Sequence, residues 1–137
     1  MIRLQAAPID SAAITAAAGG AGDGAISVFF GTVRNVNAGQ RVLFLEYEAY
    51  AGMAEREMER IAAEAIARFG ITKVAIVHRV GRVEIGEASV AIAVAAPHRA
   101  PAMEACRFVI DTLKTSVPIW KREHFEGGAV WVEGSGR

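Results

Sequence analysis

The stretch ASVAIAVA at residues 88–95 decides how the rest of the chain can be arranged. Branched residues alternate with small ones, so an extended strand would present Val90, Ile92 and Val94 on one side and mostly alanines on the other. Apolar residues on both sides predict a strand in the middle of a sheet that is covered on both faces. The side formed by small residues would let a helix approach closely.

Two amphipathic helices flank this strand along the chain. The first is predicted at residues 53–69, where Gly70 ends it, and the second at residues 100–115, with Pro101 in its first turn. Their apolar stripes should face the sheet. The stripes are Met58, Ile61, Ala62, Ala65, Ile66 and Phe69 in the first helix, and Ala102, Ala105, Cys106, Val109, Ile110 and Leu113 in the second.

Strands surround these helices. Runs of β-branched and aromatic residues predict strands at residues 2–6, 25–33, 41–50, 72–80 and 129–132, with turn residues at 35–39 and at Gly81 and Gly86. A short helix capped by Asp10 and ended by Gly19 should follow the first strand. This grouping, without regular β-α alternation, indicates an α+β sandwich with a mostly antiparallel or mixed sheet, in a single domain spanning residues 1–137.

The strand at residues 41–50 has two different faces. Alternation predicts that Leu43, Leu45 and Tyr47 point into the core, while Glu46 and Glu48 share the opposite face. We interpret these two glutamates as a solvated strand face rather than as a pair of catalytic carboxylates.

Composition excludes several classes of function. Fifteen Lys and Arg balance fifteen Asp and Glu, so the net charge of 0 argues against a general binder of nucleic acid or membrane surfaces. Cys106 is the single cysteine, and no metal-binding spacing of Cys and His occurs, so we expect a cytoplasmic protein without a metal or cofactor. The hydrophobic content of 53% favours some apolar surface buried between subunits.

Basic side chains concentrate between His98 and His124. Lys121 lies beside Trp120, whose burial would hold the lysine in a partly dry position, where its pKa falls and the amine becomes useful for catalysis. Otherwise the same cluster simply binds anions. Lys114 also has a structural explanation, because a helix C-terminus favours a cation. Taken alone, Arg34 after the strand FFGTV is best explained as a solvated loop arginine.

Five segments together carry a family resemblance. FFGTVRN (29–35), LEYEAYAGMAE (45–55), HRVGRVEIGEASVAIAV (78–94), PHRAPAMEACRFVIDTLK (97–114) and VPIWKREHFEGG (117–128) resemble, in this order, the motifs of the molybdopterin synthase catalytic subunit family. The resemblance implies a two-layer, hammerhead-like sandwich with two main helices and a small additional β subdomain.

The resemblance also implies a reaction and its partners. Members of this family convert cyclic pyranopterin monophosphate to molybdopterin by inserting two dithiolene sulfurs, a sulfurtransferase step of molybdenum cofactor biosynthesis. A small ubiquitin-like carrier subunit supplies each sulfur as the thiocarboxylate of its C-terminal Gly-Gly tail. The catalytic subunit is expected to form a homodimer within a heterotetramer.

Site residues are transferred by position. Lys114 and Lys121 match the family's catalytic lysines, with Lys114 near the carrier tail and Lys121 beside the pterin. Arg34 matches the pocket arginine, while His98 and Arg99 match a pair expected to bind phosphate or pterin, either within their own chain or across a dimer interface. Glu123 is a weaker candidate that would orient Lys121.

Other interpretations remain open from the sequence alone. The chain could be a non-catalytic anion-binding or pterin-binding module, or a Schiff-base enzyme that uses Lys114. Cys106, on the apolar stripe of its helix, is expected to be a core thiol, and His78 a structural histidine. Gly134 and Gly136 suggest a mobile C-terminus that is shorter than in relatives.

Overall fold

The computed structural model of the protein describes residues 1–132. It contains three helices and nine strands in this range, and the predicted mobility of Gly134 and Gly136 concerns residues outside it. In chain order the elements are β1 (Ile2–Gln5), α1 (Ser11–Ala18), β2 (Ala25–Thr32), β3 (Val36–Asn37), β4 (Gln40–Ala49), α2 (Ala51–Phe69), β5 (Lys73–Arg79), β6 (Gly81–Glu84), β7 (Ala88–Ala96), α3 (Arg99–Ser116), β8 (Ile119–Phe125) and β9 (Gly128–Val132).

The first sheet has the order β1-β5-β7-β2. Its β1–β5 pairing is parallel and its other pairings are antiparallel, which confirms the mixed α+β arrangement. β7 lies inside this sheet, and its residues from Ser89 to Ala96 are buried. The alternation at residues 88–95 therefore predicted a central, covered strand correctly.

Helices cover both faces of the first sheet. α1 packs through Ile14 and Ala18 against the small-residue face of β7, and its N-terminus is capped by Asp10, whose Oδ1 lies 3.0 Å from the amide of Ala13. α2 and α3 cover the opposite face, which carries Val90 and Ile92. A helix can approach the first face closely because alanine side chains leave room for it.

The predicted stripe of α3 is confirmed residue by residue, whereas the stripe of α2 contains one error. Ile66 is 41% exposed, although Ala62 and Ala65 beside it are buried. Each residue advances about 100° around a helix, so Ile66 lies roughly that far beyond Ala65, outside the covered arc. Phe69 is partly buried and contacts Phe108 of α3.

The second sheet has the order β3-β4-β8-β9, and β6 pairs with Phe44–Tyr47 along the edge of β4 that does not face β8. Leu43 was predicted to be buried but is 43% exposed, because a bulge between Val42 and Phe44 reverses the alternation and turns Val42 inward. Leu45 and Tyr47, beyond the bulge, are buried as predicted. β3 and β6 lie in segments that the sequence predicted to be turns.

The two sheets share one hydrophobic core. Leu45 and Ile119 of the second sheet, Val90 of the first sheet and Leu113 of α3 belong to the same buried cluster. The C-terminal end of α3 therefore lies where the two sheets meet. Within residues 1–132, none of the helices combines the length and the apolar character needed to span a membrane.

Candidate active site

A cavity of about 250 Å³ opens at the junction of the two sheets and the end of α3. Apolar side chains such as Val42, Leu45, Ile110 and Leu113 form its walls. Polar side chains from eight different elements or loops line the rest, and they are Thr32, Arg34, Asn37, Tyr47, His78, Ser89, Lys114, Lys121 and Glu123. The cavity thus collects four of the six predicted site residues: Arg34, Lys114, Lys121 and Glu123.

Lys114 reaches the cavity from the last turn of α3. The buried Leu113 beside it anchors this turn in the core, and the following segment continues through Pro118 into β8. No carboxylate of residues 1–132 forms an ion pair with Lys114. The helix C-terminus favours a cation here, and the position leaves the ammonium group available to an anionic ligand.

Lys121 and Glu123 occupy the inward face of β8. Strand alternation places them on the same side as Ile119, opposite Tyr47 and Leu45 of β4, and both charged side chains are buried. Lys121 Nζ lies 4.0 Å from Glu123 Oε2. The burial of Lys121 therefore comes from the strand face and not from Trp120, which lies on the opposite face against Tyr50.

The surroundings of Lys121 favour its neutral amine more than water does. Burial lowers the pKa of Lys121, Glu123 opposes this change, and the positive charges of Lys114 and Arg34 lower the pKa further. The predicted fall of this pKa is confirmed in direction. Lys121 therefore gives up its proton to a ligand more readily than a free lysine does.

Arg34 lies at the mouth of the cavity, directly after β2. Its side chain is exposed, and the preceding Gly31 lines the cavity wall. A Cβ at Gly31 would lie 2.7 Å from Val90 Cγ1, so only glycine fits against β7 without moving this neighbour. The loop can therefore approach the core closely enough to aim Arg34 at the cavity.

Asn37 is a site residue that the sequence pattern predicted only as part of a turn. Its Nδ2 donates hydrogen bonds to Glu123 Oε1 at 2.8 Å and Oε2 at 2.9 Å. These bonds tie the loop that carries Arg34 to the strand that carries Lys121. No local pattern could reveal the pair, because the two residues are 86 positions apart.

Replacing Asn37 by alanine should lower the free energy of unfolding by about 1–3 kcal/mol, because the buried Glu123 carboxylate loses its donor. Urea denaturation measures this change. The matched control is Asn35→Ala in the same loop, since the Asn35 side chain is exposed and makes no hydrogen bond within residues 1–132. Equal stability of the two variants would show that the Asn37 amide does not stabilise Glu123.

Tyr47 and His78 add uncharged polar groups to the cavity wall. Their rings are in edge-to-face contact with centroids 4.9 Å apart. Burial raises the pKa of Tyr47, although Ser89 opposes this change, and burial lowers the pKa of His78 to about 4. Both rings are therefore uncharged at neutral pH. The core position predicted for His78 is confirmed, but its ring also bounds the cavity.

His98 and Arg99 do not reach the cavity of their own chain. Both are exposed at the N-terminal start of α3, roughly 22 Å from Lys114 at a rise of 1.5 Å per residue. Arg99 borders a groove formed with β2 and Met103. The structure of one chain therefore separates the predicted HR pair from the other four site residues.

Two other conspicuous groups lie outside the cavity. Glu46 accepts a hydrogen bond from His124 on the outer face of the second sheet, and Glu48 is exposed, so they form no catalytic carboxylate pair. Cys106 is buried in the stripe of α3, and burial raises the pKa of its thiol. A high thiol pKa makes a reactive thiolate unfavourable, which agrees with the predicted core role.

The arrangement can bind an anion and move a proton. Two opposite charges about 4 Å apart near a protein surface interact by roughly 4 kcal/mol, so three cations around one cavity can hold a phosphate or a carboxylate-like group firmly. Apolar side chains line the same space. Within residues 1–132, no group of three or more His, Cys, Asp and Glu side chains is arranged to hold a metal ion.

Comparison with known proteins identifies relatives of this chain. The family model described as "MoaE protein" matches residues 4–116. The molybdopterin synthase catalytic subunit of Halalkalibacterium halodurans is 50% identical over 109 residues, which cover 80% of this chain and 70% of the relative. The corresponding subunit of Oryza sativa subsp. japonica is 53% identical over 110 residues, and this match spans 57% of its length.

Solved structures show the same fold. The molybdopterin synthase structure from Staphylococcus aureus matches with a TM-score of 0.91 and 37% identity, covering 94% of each chain. A chain in the complex of subunits 1 and 2 of the molybdopterin-converting factor from Helicobacter pylori matches with a TM-score of 0.78. That chain is 20% identical, with coverage of 97% of this chain and 91% of that one, and it supports the fold alone.

Proposed function

The chain belongs to the MoaE protein family of molybdopterin synthase catalytic subunits, and we propose that it transfers sulfur to cyclic pyranopterin monophosphate to form molybdopterin. One observation carries the proposal. Arg34, Lys114 and Lys121 converge on a single cavity in a chain whose net charge is 0. Such a local concentration of positive charge suits a reaction in which the phosphorylated substrate and the sulfur donor are both anionic.

Lys114 and Lys121 divide the chemistry in this proposal. The ammonium group of Lys114 neutralises the thiocarboxylate and stabilises the thioester formed when its sulfur displaces an oxygen function of the pterin. Water then cleaves the bond between the acyl carbon and the sulfur, so the carrier leaves as a carboxylate and the sulfur stays on the pterin. Lys121, whose pKa is lowered, binds the substrate and exchanges protons with the oxygen functions that sulfur replaces. Glu123 orients Lys121, and Asn37 in turn holds Glu123 in place.

We infer that the sulfur donor is the C-terminal Gly-Gly thiocarboxylate of a small ubiquitin-like carrier subunit. A cavity of about 250 Å³ admits a narrow chain end, and a tail of glycines has no side chains to obstruct its entry. The Helicobacter pylori chain of the same fold was solved in a complex of two subunits, and we propose a comparable partner for this chain. The reaction is assigned to the cytoplasm because the single cysteine fits a reducing compartment.

We also propose that His98 and Arg99 complete the cavity of a neighbouring copy. Arg99 borders a groove with Ile26 and Val28. Together with Phe30, these two apolar residues form an exposed apolar strip on β2, which is an edge strand of the first sheet. Apolar side chains on an unpaired edge favour association between copies. A homodimer formed there, with one carrier subunit for each copy, would be a heterotetramer with two shared sites.

Mixing two inactive variants tests this sharing. Arg99→Ala should lower activity at least about tenfold, because a charged hydrogen bond to phosphate is lost. When Arg99→Ala and Lys114→Ala chains are unfolded and refolded together, activity should recover to about a quarter of the native value, since half of the dimers then contain one intact site of two. Product formation measures the recovery.

The matched control refolds Lys114→Ala with Lys121→Ala. Both changes lie in the same cavity, so no mixed dimer contains an intact site, and no recovery is expected. If Arg99 acted within its own chain, the first mixture would also stay inactive.

The proposed activity is tested by combining the purified protein with a thiocarboxylated carrier subunit and cyclic pyranopterin monophosphate, followed by quantification of molybdopterin. Sustained product formation supports the proposal. If no product forms although the carrier binds and is competent with another synthase, the protein is a non-catalytic pterin-binding module of the same fold.

A further inference from the structure

His78 is a buried polar side chain, and one of its two ring nitrogens already forms a hydrogen bond. It lies on β5 at 2% exposure, and its Nδ1 is 2.7 Å from the carbonyl oxygen of Arg79. A carbonyl oxygen can only accept a hydrogen bond, so Nδ1 must carry the proton. This bond therefore determines the tautomer of the ring and leaves Nε2 with an unshared electron pair.

The ring stays uncharged at the pH of the reaction. Burial lowers the pKa of His78 to about 4, the bond to Arg79 opposes this change, and the nearby Lys114 lowers the pKa further. Within residues 1–132 the ring makes no second hydrogen bond, and it forms part of the cavity wall. Nε2 is consequently an available hydrogen-bond acceptor on a residue that lines the cavity.

The cationic side chains of the cavity cannot accept a hydrogen bond. Arg34, Lys114 and Lys121 can only donate hydrogen bonds when charged. Among the oxygen acceptors, the Glu123 carboxylate already accepts two hydrogen bonds from the Asn37 amide and lies near Lys121. The amide oxygen of Asn37 can also accept, and the hydroxyls of Tyr47 and Ser89 can donate as well as accept; the Ser89 hydroxyl donates to the carbonyl of Gly31 at 3.2 Å. His78 Nε2 adds a nitrogen that its tautomer allows only to accept. A ligand that carries N–H or O–H groups as well as a negative charge needs an acceptor in this cationic surrounding.

We propose that His78 Nε2 accepts a hydrogen bond from an N–H or O–H group of the bound heterocyclic substrate and so orients it between Lys114 and Lys121. This assignment rests on the proposed function and extends it to the recognition of the ring system. The phosphate is bound by cations, whereas the ring is selected by a neutral acceptor. His78 then has a binding role in addition to its structural bond with Arg79.

Two substitutions separate these roles. In His78→Asn, the side-chain amide lies the same number of bonds from Cα as Nδ1 and keeps a donor for the Arg79 carbonyl, but nothing replaces Nε2. In His78→Gln, the terminal amide oxygen lies the same number of bonds from Cα as Nε2 and supplies an acceptor there, but the Arg79 bond is lost. Each variant therefore retains one of the two functions.

Steady-state kinetics with cyclic pyranopterin monophosphate and thiocarboxylated carrier should distinguish the two variants. His78→Asn should raise the KM for the pterin about three- to tenfold, as expected for one neutral hydrogen bond, with a melting temperature near the native value. His78→Gln should keep a KM near the native value and melt at a lower temperature. Isothermal titration of the pterin in the absence of carrier measures the same loss of affinity directly.

Three results would overturn the assignment. A native KM in His78→Asn would show that Nε2 does not contact the substrate. Equal increases in KM in both variants, following their melting temperatures, would assign His78 a structural role only. A lower kcat with a shifted pH profile and an unchanged KM would mean that the ring acts on Lys114 instead. Activity of the native protein in the same assay distinguishes each result from failure of the proposed function.

Discussion

Lys114→Ala should lower the rate of product formation by about a thousandfold, the scale expected when a preorganised group that stabilises developing charge is removed. The ammonium group lies in the cavity at the end of α3, and no carboxylate of residues 1–132 pairs with it, so its charge is available to the reacting groups. Single-turnover product formation with saturating carrier and substrate measures the effect. Binding of the carrier is measured separately and should persist, because the substitution changes only a side chain inside the cavity.

Lys73→Ala is the matched control for this change. Lys73 is exposed at the start of β5, outside the cavity, and its replacement alters net charge equally. Native activity is expected. A Lys114→Ala variant that retains most of its activity would remove the central lysine from the mechanism. Trapping of a substrate on Lys114 by borohydride would instead support Schiff-base chemistry.

Lys121→Ala should lower activity by about a hundredfold or more, as expected for loss of a general acid or base. Lys121 is buried on the inward face of β8, so water replaces the amine poorly as a proton carrier. The pH dependence of kcat provides the diagnostic measurement. Native protein should show a limb governed by Lys121 at a lower pH than a free lysine would give, because the pKa of Lys121 is lowered.

Glu123→Gln tests whether Lys121 governs this limb of the pH profile, because the direction in which the limb moves can be predicted. Glu123 raises the pKa of Lys121, so removing its charge lets the pKa fall further, and the limb assigned to Lys121 should move to lower pH. Glu46→Gln removes the same charge from the opposite face of the second sheet and should leave the limb unchanged. Movement of the limb to higher pH in Glu123→Gln would show that another group governs it.

Local periodicity accounts for the elements that the sequence predicted correctly. The stripe of α3 and the two covered faces of β7 depend on the spacing of apolar side chains within one element, which the backbone geometry converts directly into faces. The prediction failed for Leu43 because a bulge depends on pairing with β8 and is invisible in the alternation of β4 itself. The prediction for Ile66 was wrong because the neighbouring elements determine how much of the circumference of α2 is buried.

The candidate site likewise contains residues that the sequence predicted and residues whose roles only the structure shows. The sequence indicated a local group of cations, and its motifs pointed to Arg34, Lys114, Lys121 and Glu123, which the structure brings to one cavity. Asn37 and the acceptor nitrogen of His78 were not predicted as site groups. Their roles depend on contacts with residues distant in the chain, or on burial that removes charge, and neither leaves a local pattern.

The sequence by itself determined the strands and helices, the covered position of β7, the family and the basic residues of the site. Only the tertiary structure decided which of those residues meet. It brought the Glu123 carboxylate within hydrogen-bonding distance of the Asn37 amide, and it buried Lys121 on the inward face of β8. It also separated Arg99 from Lys114 by the length of α3. The physical reason is that periodicity records where a side chain points within its own element, whereas distances between elements arise from packing.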